Sequence, residues 1–217
     1  MSKPRIGILG TGDVGRSLGS GFCAEGHEVC MGSRDPGSEK VQQWVAANGP
    51  RASAGTFAEA AERAEVAVLA TLWTGTENAI RLAGPERLAG KVVIDTVNPV
   101  AFKPNAPPEL AIGHTDSAGE QVQRWLPAAR VVKAFNIVGH AHMVHPQFPG
   151  GPPDMFICGN DAEAKRMVTE LCTELGWPAI DIGGIEGARL LEPLCLLWVG
   201  YAVRTGSGNH AFKLLRR

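Results

Sequence analysis

Gly10-Thr11-Gly12-Asp13-Val14-Gly15 follows the short apolar run at residues 5–9 and opens a segment in which Val14, Leu18 and Phe22 recur at helical spacing. The pattern is G-x-G-x-x-G. Its context, a strand before it and a helix after it inside one strand–helix–strand unit, reads as a dinucleotide-phosphate turn. Each glycine has a separate physical task. The first permits the tight turn, the second lets the backbone approach a pyrophosphate, and the third lets helix and strand pack closely. The helix start adds unpaired N–H groups and the positive end of the helix dipole. A glycine-rich turn without a ligand is the alternative reading.

Outward from this unit, apolar runs predict strands at 28–31, 51–54, 66–70, 92–95 and 131–135, separated by helices at 40–47, 57–63, 76–82 and 117–126. Thr56 with Glu59 three residues on has the form of a capping box for the helix at 57–63. Strands alternating with helices predict an α/β fold, a doubly wound parallel sheet of the Rossmann NAD(P)-binding type. A break rich in proline and glycine, PQFPGGPP at 146–153, is followed by a strand at 155–158 and a helix at 162–175. A short strand at 179–182 and an apolar helix at 185–203 complete the chain, with Pro193 expected to start or kink that helix. The expected division is a Rossmann domain over 1–149 and a short C-terminal extension over 150–217. The extension would pack on the first unit and contribute to an acceptor site or a dimer.

Composition narrows the partners. The chain has 27 glycines in 217 residues, roughly one in eight, and eight of them fall within the first 32 positions. The net charge is −1, and no basic cluster occurs beyond Arg216-Arg217, so no nucleic-acid partner is expected. No apolar run approaches the length of a membrane span. The opening residues read as a folded strand rather than a leader, so a cytoplasmic protein is expected. Five cysteines without a Cys-x-x-Cys pair point to small core side chains rather than a metal site or a disulfide framework.

The end of the second strand reads Met31-Gly32-Ser33-Arg34-Asp35-Pro36. An NAD site commonly places a carboxylate there for the ribose hydroxyls. Ser33 and Arg34 stand in that place, and a hydroxyl with a guanidinium suits a 2′-phosphate. NADP is therefore the expected cofactor. The competing reading gives the ribose to Asp35 and leaves Arg34 in solvent. Lys40 could add charge there, but it reads better as a surface-helix lysine.

Taken together, GILGTGDVG (7–15), GSRDP (32–36), VIDTVNP (93–99), KAFN (133–136) and LLEPL (190–194) resemble the NADP-binding reductases related to coenzyme F420-dependent NADP reductase, in that family's order. The set also resembles ferric reductase oxidoreductase domains. The resemblance implies hydride transfer between NADP(H) and a flavin-like acceptor: coenzyme F420, FMN or FAD. Carried over by position, it implies a cofactor site of Gly10, Thr11, Gly12, Asp13, Val14 and Gly15 at the phosphate turn and Ser33 and Arg34 at the 2′-phosphate. Thr71, Leu72 and Trp73 would border the nicotinamide ribose. Asn98 and Pro99, with Ala134, Phe135 and Asn136, would lie near the nicotinamide. The chain departs from the family in having Leu72 where proline is common before the tryptophan, and Asp35-Pro36-Gly37 where further basic residues are common.

No catalytic acid–base pair is singled out. Tyr201, the one tyrosine, is followed four residues later by Thr205, which excludes a Tyr-x-x-x-Lys mechanism. Hydride exchange between two flat rings needs no protein acid at the transfer step, only orientation. His140, His142 and His145 are candidates for lining an acceptor pocket, with a metal site or a plain polar loop as the other readings. The stripe Leu190, Leu191, Leu194, Leu197, Trp198 and Tyr201 is expected to be either core or the face of a homodimer. A quinone, a small imine or a carbonyl remains open as acceptor, and a non-enzymatic NADP sensor remains open as a role.

Overall fold

The computed structural model describes residues 3–104 and 106–217. Strand β1 (Ile6–Leu9) is buried along its whole length and leads through the glycine turn into α1 (Asp13–Ala24). The next units are β2 (Val29–Ser33) with α2 (Glu39–Asn48), β3 (Ala52–Thr56) with α3 (Phe57–Arg63), and β4 (Val66–Leu69) with α4 (Trp73–Ala83). Then come β5 (Val92–Asp95), a small antiparallel ribbon of β6 (Val100–Ala101) and β7 (Glu109–Leu110), α5 (Ala118–Trp125) and β8 (Arg130–Lys133). The predicted capping box forms as drawn. Thr56 Oγ1 accepts from the Glu59 N–H at 3.2 Å, and Glu59 Oε2 accepts from the Thr56 N–H at 2.7 Å.

Among the described residues, eight strands make one sheet in the order β10-β9-β8-β5-β4-β1-β2-β3, where β9 (Met155–Gly159) and β10 (Ala179–Asp181) flank α6 (Ala162–Glu174). Strands β3-β2-β1-β4-β5-β8 are parallel and form the doubly wound Rossmann sheet. The order reverses between β1 and β4, and a crevice opens outside the strand ends at such a switch point. Buried side chains cover both faces. Leu18, Phe22, Met31, Leu171 and Trp177 pack on one side, and Phe57, Ile80, Leu88, Val122 and Leu126 on the other. All five cysteines are free and buried, and burial pushes the Cys23 thiol up to about 11.

One strand pairing in the otherwise parallel sheet is antiparallel. Strand β9 runs antiparallel to β8, because the link from 134 to 154 contains one short 3-10 turn and no crossover helix to bring the chain back in the same direction. Residues beyond 149 therefore continue the sheet: β9, α6 and β10 form a parallel unit at its edge. Helix α7 (Ala188–Thr205) runs through Pro193, starting five residues before it. No described helix is long and apolar enough to cross a membrane.

Candidate functional site

A cleft of about 1080 Å³ lies along the C-terminal ends of β2, β1, β4 and β5, where the sheet order reverses. At one end it is lined by Ser33, Arg34, Asp35 and Lys40. Its middle is the turn from Gly10 to Val14, facing Thr71, Leu72, Thr74 and Gly75. Thr96, Val138, Gly139 and His140 close the other end.

The three motif glycines sit in different surroundings. Gly10 has φ +133°, and a Cβ there would stand 2.1 Å from the Ala70 carbonyl oxygen. A Cβ on Gly15 would stand 2.4 Å from the Gly10 carbonyl oxygen. The protein's own packing demands glycine at both. Gly12 is different: its φ of −71° suits any residue, and a Cβ on it would meet nothing within 4 Å. The space beside Gly12 is a cradle in the open cleft, so the requirement for glycine there comes from what enters the cleft. Gly12 is also the N-cap of α1, with no side-chain cap, and its carbonyl accepts the first intrahelical bond from the Arg16 N–H. The first-turn N–H groups are left for a ligand anion. Helix α4 likewise starts without a side-chain cap at Leu72, which is 83% exposed on the cleft's lip. Two helix starts thus bracket the crevice, a donor set that suits the pyrophosphate of a dinucleotide.

Of the sequence-predicted residues, Gly10, Thr11, Gly12, Asp13, Val14, Ser33, Arg34, Thr71 and Leu72 line the cleft. Gly15 lies buried behind the turn. Trp73 points away and stacks on Trp125 at 5.4 Å between ring centres. Pro99 is buried, its carbonyl accepting from the Ala111 N–H at 2.7 Å. Ala134, Phe135 and Asn136 are buried behind the wall. Asn98 and Asn136 clamp each other: Asn98 Nδ2 donates to the Asn136 carbonyl at 2.7 Å, and Asn136 Nδ2 donates to Asn98 Oδ1 at 2.9 Å. Phe135 takes a left-handed backbone, φ 58°, a conformation that costs a non-glycine residue on the order of 1 kcal/mol or more. The histidines separate. His140 lines the cleft, His142 bonds Asn209 at 3.0 Å, and His145 pairs with Glu25 at 2.8 Å.

Lys40, read from the sequence as a surface-helix lysine, lines the cleft, as does Thr96, which the sequence did not single out. Lys40 sits in the first turn of α2, immediately after the Ser33-Arg34 loop, and that offset was its readable signal. The larger omission is a buried charge cluster beneath the far end. Lys133, Asp95 and Glu192 are each at most 1% exposed. Lys133 Nζ lies 2.8 Å from Asp95 Oδ2 and 3.1 Å from Glu192 Oε1, and donates to the Val97 carbonyl at 2.6 Å. Glu192 accepts from the Ala118 and Gly119 N–H groups of α5 at 3.0 and 2.9 Å, and Asp95 Oδ1 accepts from the Val97 N–H at 2.9 Å. Burial opposes the charge on Lys133, but the two carboxylates outweigh it and hold the ammonium well above the ordinary lysine range. Burial pushes Glu192 up, against the pull of Lys133 and the two backbone donors.

The sequence of residues 5–99 matches the family model described as NADP oxidoreductase, coenzyme F420-dependent. The F420-dependent NADP reductase of Methanocaldococcus jannaschii is 30% identical over 220 residues, covering 97% of each chain. The metalloreductase STEAP3 of Rattus norvegicus is 33% identical over 197 residues, and the present chain covers 37% of its length. A crystal structure from Arthrobacter sp. FB24, assigned as an F420-dependent NADP reductase, superposes with a TM-score of 0.92 at 38% identity, covering 99% of this chain and all of that one.

Proposed function

This chain belongs to the coenzyme F420-dependent NADP oxidoreductase family and is an NADP-dependent oxidoreductase, and we propose that it moves hydride between NADP(H) and a flavin-like acceptor: coenzyme F420, FMN or FAD. The observation that carries the reading is the open cradle beside Gly12 at the uncapped start of α1, with Ser33 and Arg34 at one end of the same cleft. Gly10–Val14 would hold the pyrophosphate, and Ser33, Arg34 and Lys40 the 2′-phosphate. The nicotinamide then falls to the end lined by Thr96, Val138 and Gly139, next to Thr71. Bound NADPH supplies the hydride, and the chain's part is to orient the ring and wall one face from water. Behind that wall, the Asn98–Asn136 clamp and the strained Phe135 fix the loops after β5 and β8.

The test is NADPH oxidation across a panel of coenzyme F420, FMN, FAD, a quinone and a cyclic imine. Turnover with a flat redox ring and not with the imine supports the reading. A second reading has one observation in its favour, His140 exposed in the cleft, where it stands as a proton donor for imine or carbonyl reduction. Imine turnover that is lost in His140→Ala would favour it. NADPH binding with no acceptor reduced would leave a sensor.

Arg34→Ala is expected to weaken NADPH binding by about tenfold to a hundredfold while moving NADH binding less than twofold. A charge-assisted contact to phosphate is worth roughly 1.5–3 kcal/mol, and NADH has no 2′-phosphate to lose it. Titration of both cofactors decides this, and equal weakening would remove the 2′-phosphate assignment.

The proposal includes a homodimer through α7. Leu191 is buried, but Leu190, Leu197 and Tyr201 stand 68%, 61% and 47% exposed along one side of the helix. Sedimentation as a single 22.9 kDa species would remove this part.

A further inference from the structure

The Asp95–Lys133–Glu192 cluster is unlike the surface ion pairs of this chain. Burying three charges is costly, and an apolar trio of similar volume is often as stable or more so. The Lys133 ammonium donates to the Val97 carbonyl and lies within ion-pair distance of Asp95 and Glu192, buried away from the cleft. The contacts of Glu192 all come from donors: two backbone N–H groups and the ammonium. Asp95 Oδ1 accepts from the Val97 N–H, while its Oδ2 lies 2.8 Å from the ammonium and makes no hydrogen bond among the described residues. Counted with both carboxyls ionised, the cluster has one positive and two negative charges. Its formal charge is −1, partly offset by the start of α5.

The position of the cluster matters as much as its sign. Asp95 ends β5 and is bonded in sequence to Thr96, which lines the far end of the cleft. Lys133 ends β8, the next strand, whose following loop supplies Val138, Gly139 and His140 to the same end. The 2′-phosphate groups Ser33 and Arg34 lie at the opposite end, beyond the β1 turn. A formal negative charge thus sits in the buried interior, one residue along the chain from Thr96 at the cleft end assigned to the nicotinamide.

We propose that this buried cluster sets the redox preference of the bound cofactor, by stabilising the oxidised, cationic nicotinamide ring over the neutral dihydronicotinamide. When NADPH gives up hydride from its ring carbon, two electrons and one proton leave together to the flavin-like acceptor, and the ring changes from neutral to singly positive. A preorganised negative charge nearby favours that change and makes bound NADPH the better donor. Asp95 and Glu192 act through space and through the wall, without touching the cofactor. This rests on the cofactor orientation given under Proposed function.

The experiment is equilibrium titration of the full chain with NADP+, with NADPH, and with 2′-phospho-ADP-ribose, which keeps both phosphate sites but lacks the nicotinamide. At an effective dielectric of about 20, removing one unit charge behind the ring changes the relative affinities by on the order of tenfold. Glu192→Gln and Asp95→Asn each remove one negative charge. Both are expected to weaken NADP+ about tenfold while NADPH and the fragment stay within about twofold. Equal weakening of NADP+ and NADPH would mark the cluster as merely structural and overturn the inference, as would no change in either. Wild-type protein that binds the fragment but neither full cofactor would instead overturn the cofactor orientation. The wild type gives a reading even if both variants fail to fold. Binding NADP+ at least as tightly as NADPH supports the inference, and holding NADPH more tightly overturns it.

Discussion

Gly12→Val is expected to weaken NADPH binding by more than a hundredfold while the protein stays folded. The variant adds three carbon atoms to a point where a Cβ meets no protein atom within 4 Å, so the fold has no reason to resist them. Backbone conformation does not object either, because φ −71° and ψ −179° are ordinary extended values. The one local penalty is the loss of a good N-cap, since valine caps poorly where glycine is tolerated, at a cost of about 1 kcal/mol. For a domain of this size that corresponds to a fall in Tm of roughly 2–4 °C. The added carbons occupy the space a pyrophosphate needs to reach the first-turn N–H groups of α1. Gly10→Ala is the contrasting control. It forces a Cβ to 2.1 Å from the Ala70 carbonyl oxygen at φ +133°, so stability itself should fall sharply. Fluorescence titration of NADPH beside a thermal melt separates the two cases. Unchanged NADPH affinity in Gly12→Val would remove the phosphate-turn assignment altogether.

This contrast bears on what one sequence can disclose. The motif glycines were legible because their task is local: a turn, a close contact and a ligand cradle all fall within six residues. Strand and helix positions were legible for the same reason, and the Thr56–Glu59 box formed because both partners belong to one helical turn. The direction of β9 was less so. A parallel return needs a helix in the connection, and the apolar run at 155–158 reads the same whichever way it pairs. The charge cluster was not legible as a unit. Asp95, Lys133 and Glu192 come from three separate elements, and a lysine at the end of an apolar strand looks like a snorkelling edge residue until its partners are known. The residues expected at the cofactor site divide in the same way. Residues on the loops after β1, β2 and β4 line the cleft, because the chain turns into a helix there and exposes them. Asn98, Phe135 and Asn136 follow their strands too, yet the clamp between the two loops draws them behind the wall, while Thr96 and Val138 to His140 face outward.

The clamp and the charge cluster together make the far end of the cleft a rigid wall, and Lys133→Met should show what that rigidity costs. Removing the ammonium leaves Asp95 and Glu192 buried without a counter-charge. Breaking a buried pair this way destabilises by about 3–5 kcal/mol, a large share of the roughly 5–15 kcal/mol that holds a domain folded. The expected fall in Tm at neutral pH is about 6–20 °C. Lys165→Met is the control. Its partner Asp181 is half exposed at 2.8 Å, and such pairs contribute about 1 kcal/mol or less. The deficit of Lys133→Met must also depend on pH, with a definite sign. Glu192 is already raised by burial, and Lys133 is the chief group opposing that rise. Without it the folded-state value climbs further above the unfolded one. A carboxyl raised on folding binds its proton more tightly in the folded state, so protonation stabilises the fold. That contribution is complete below the unfolded glutamate value of about 4.3 and is lost as pH rises through the higher folded value. The wild-type ammonium stays charged over the same range, because Lys133 lies well above it. The stability gap between wild type and variant should therefore widen from pH 5 to pH 8 in denaturant melts. A gap that stays constant across that range, or one below about 1 kcal/mol at pH 8, would show that Lys133 does not hold the two carboxylates in their charged form.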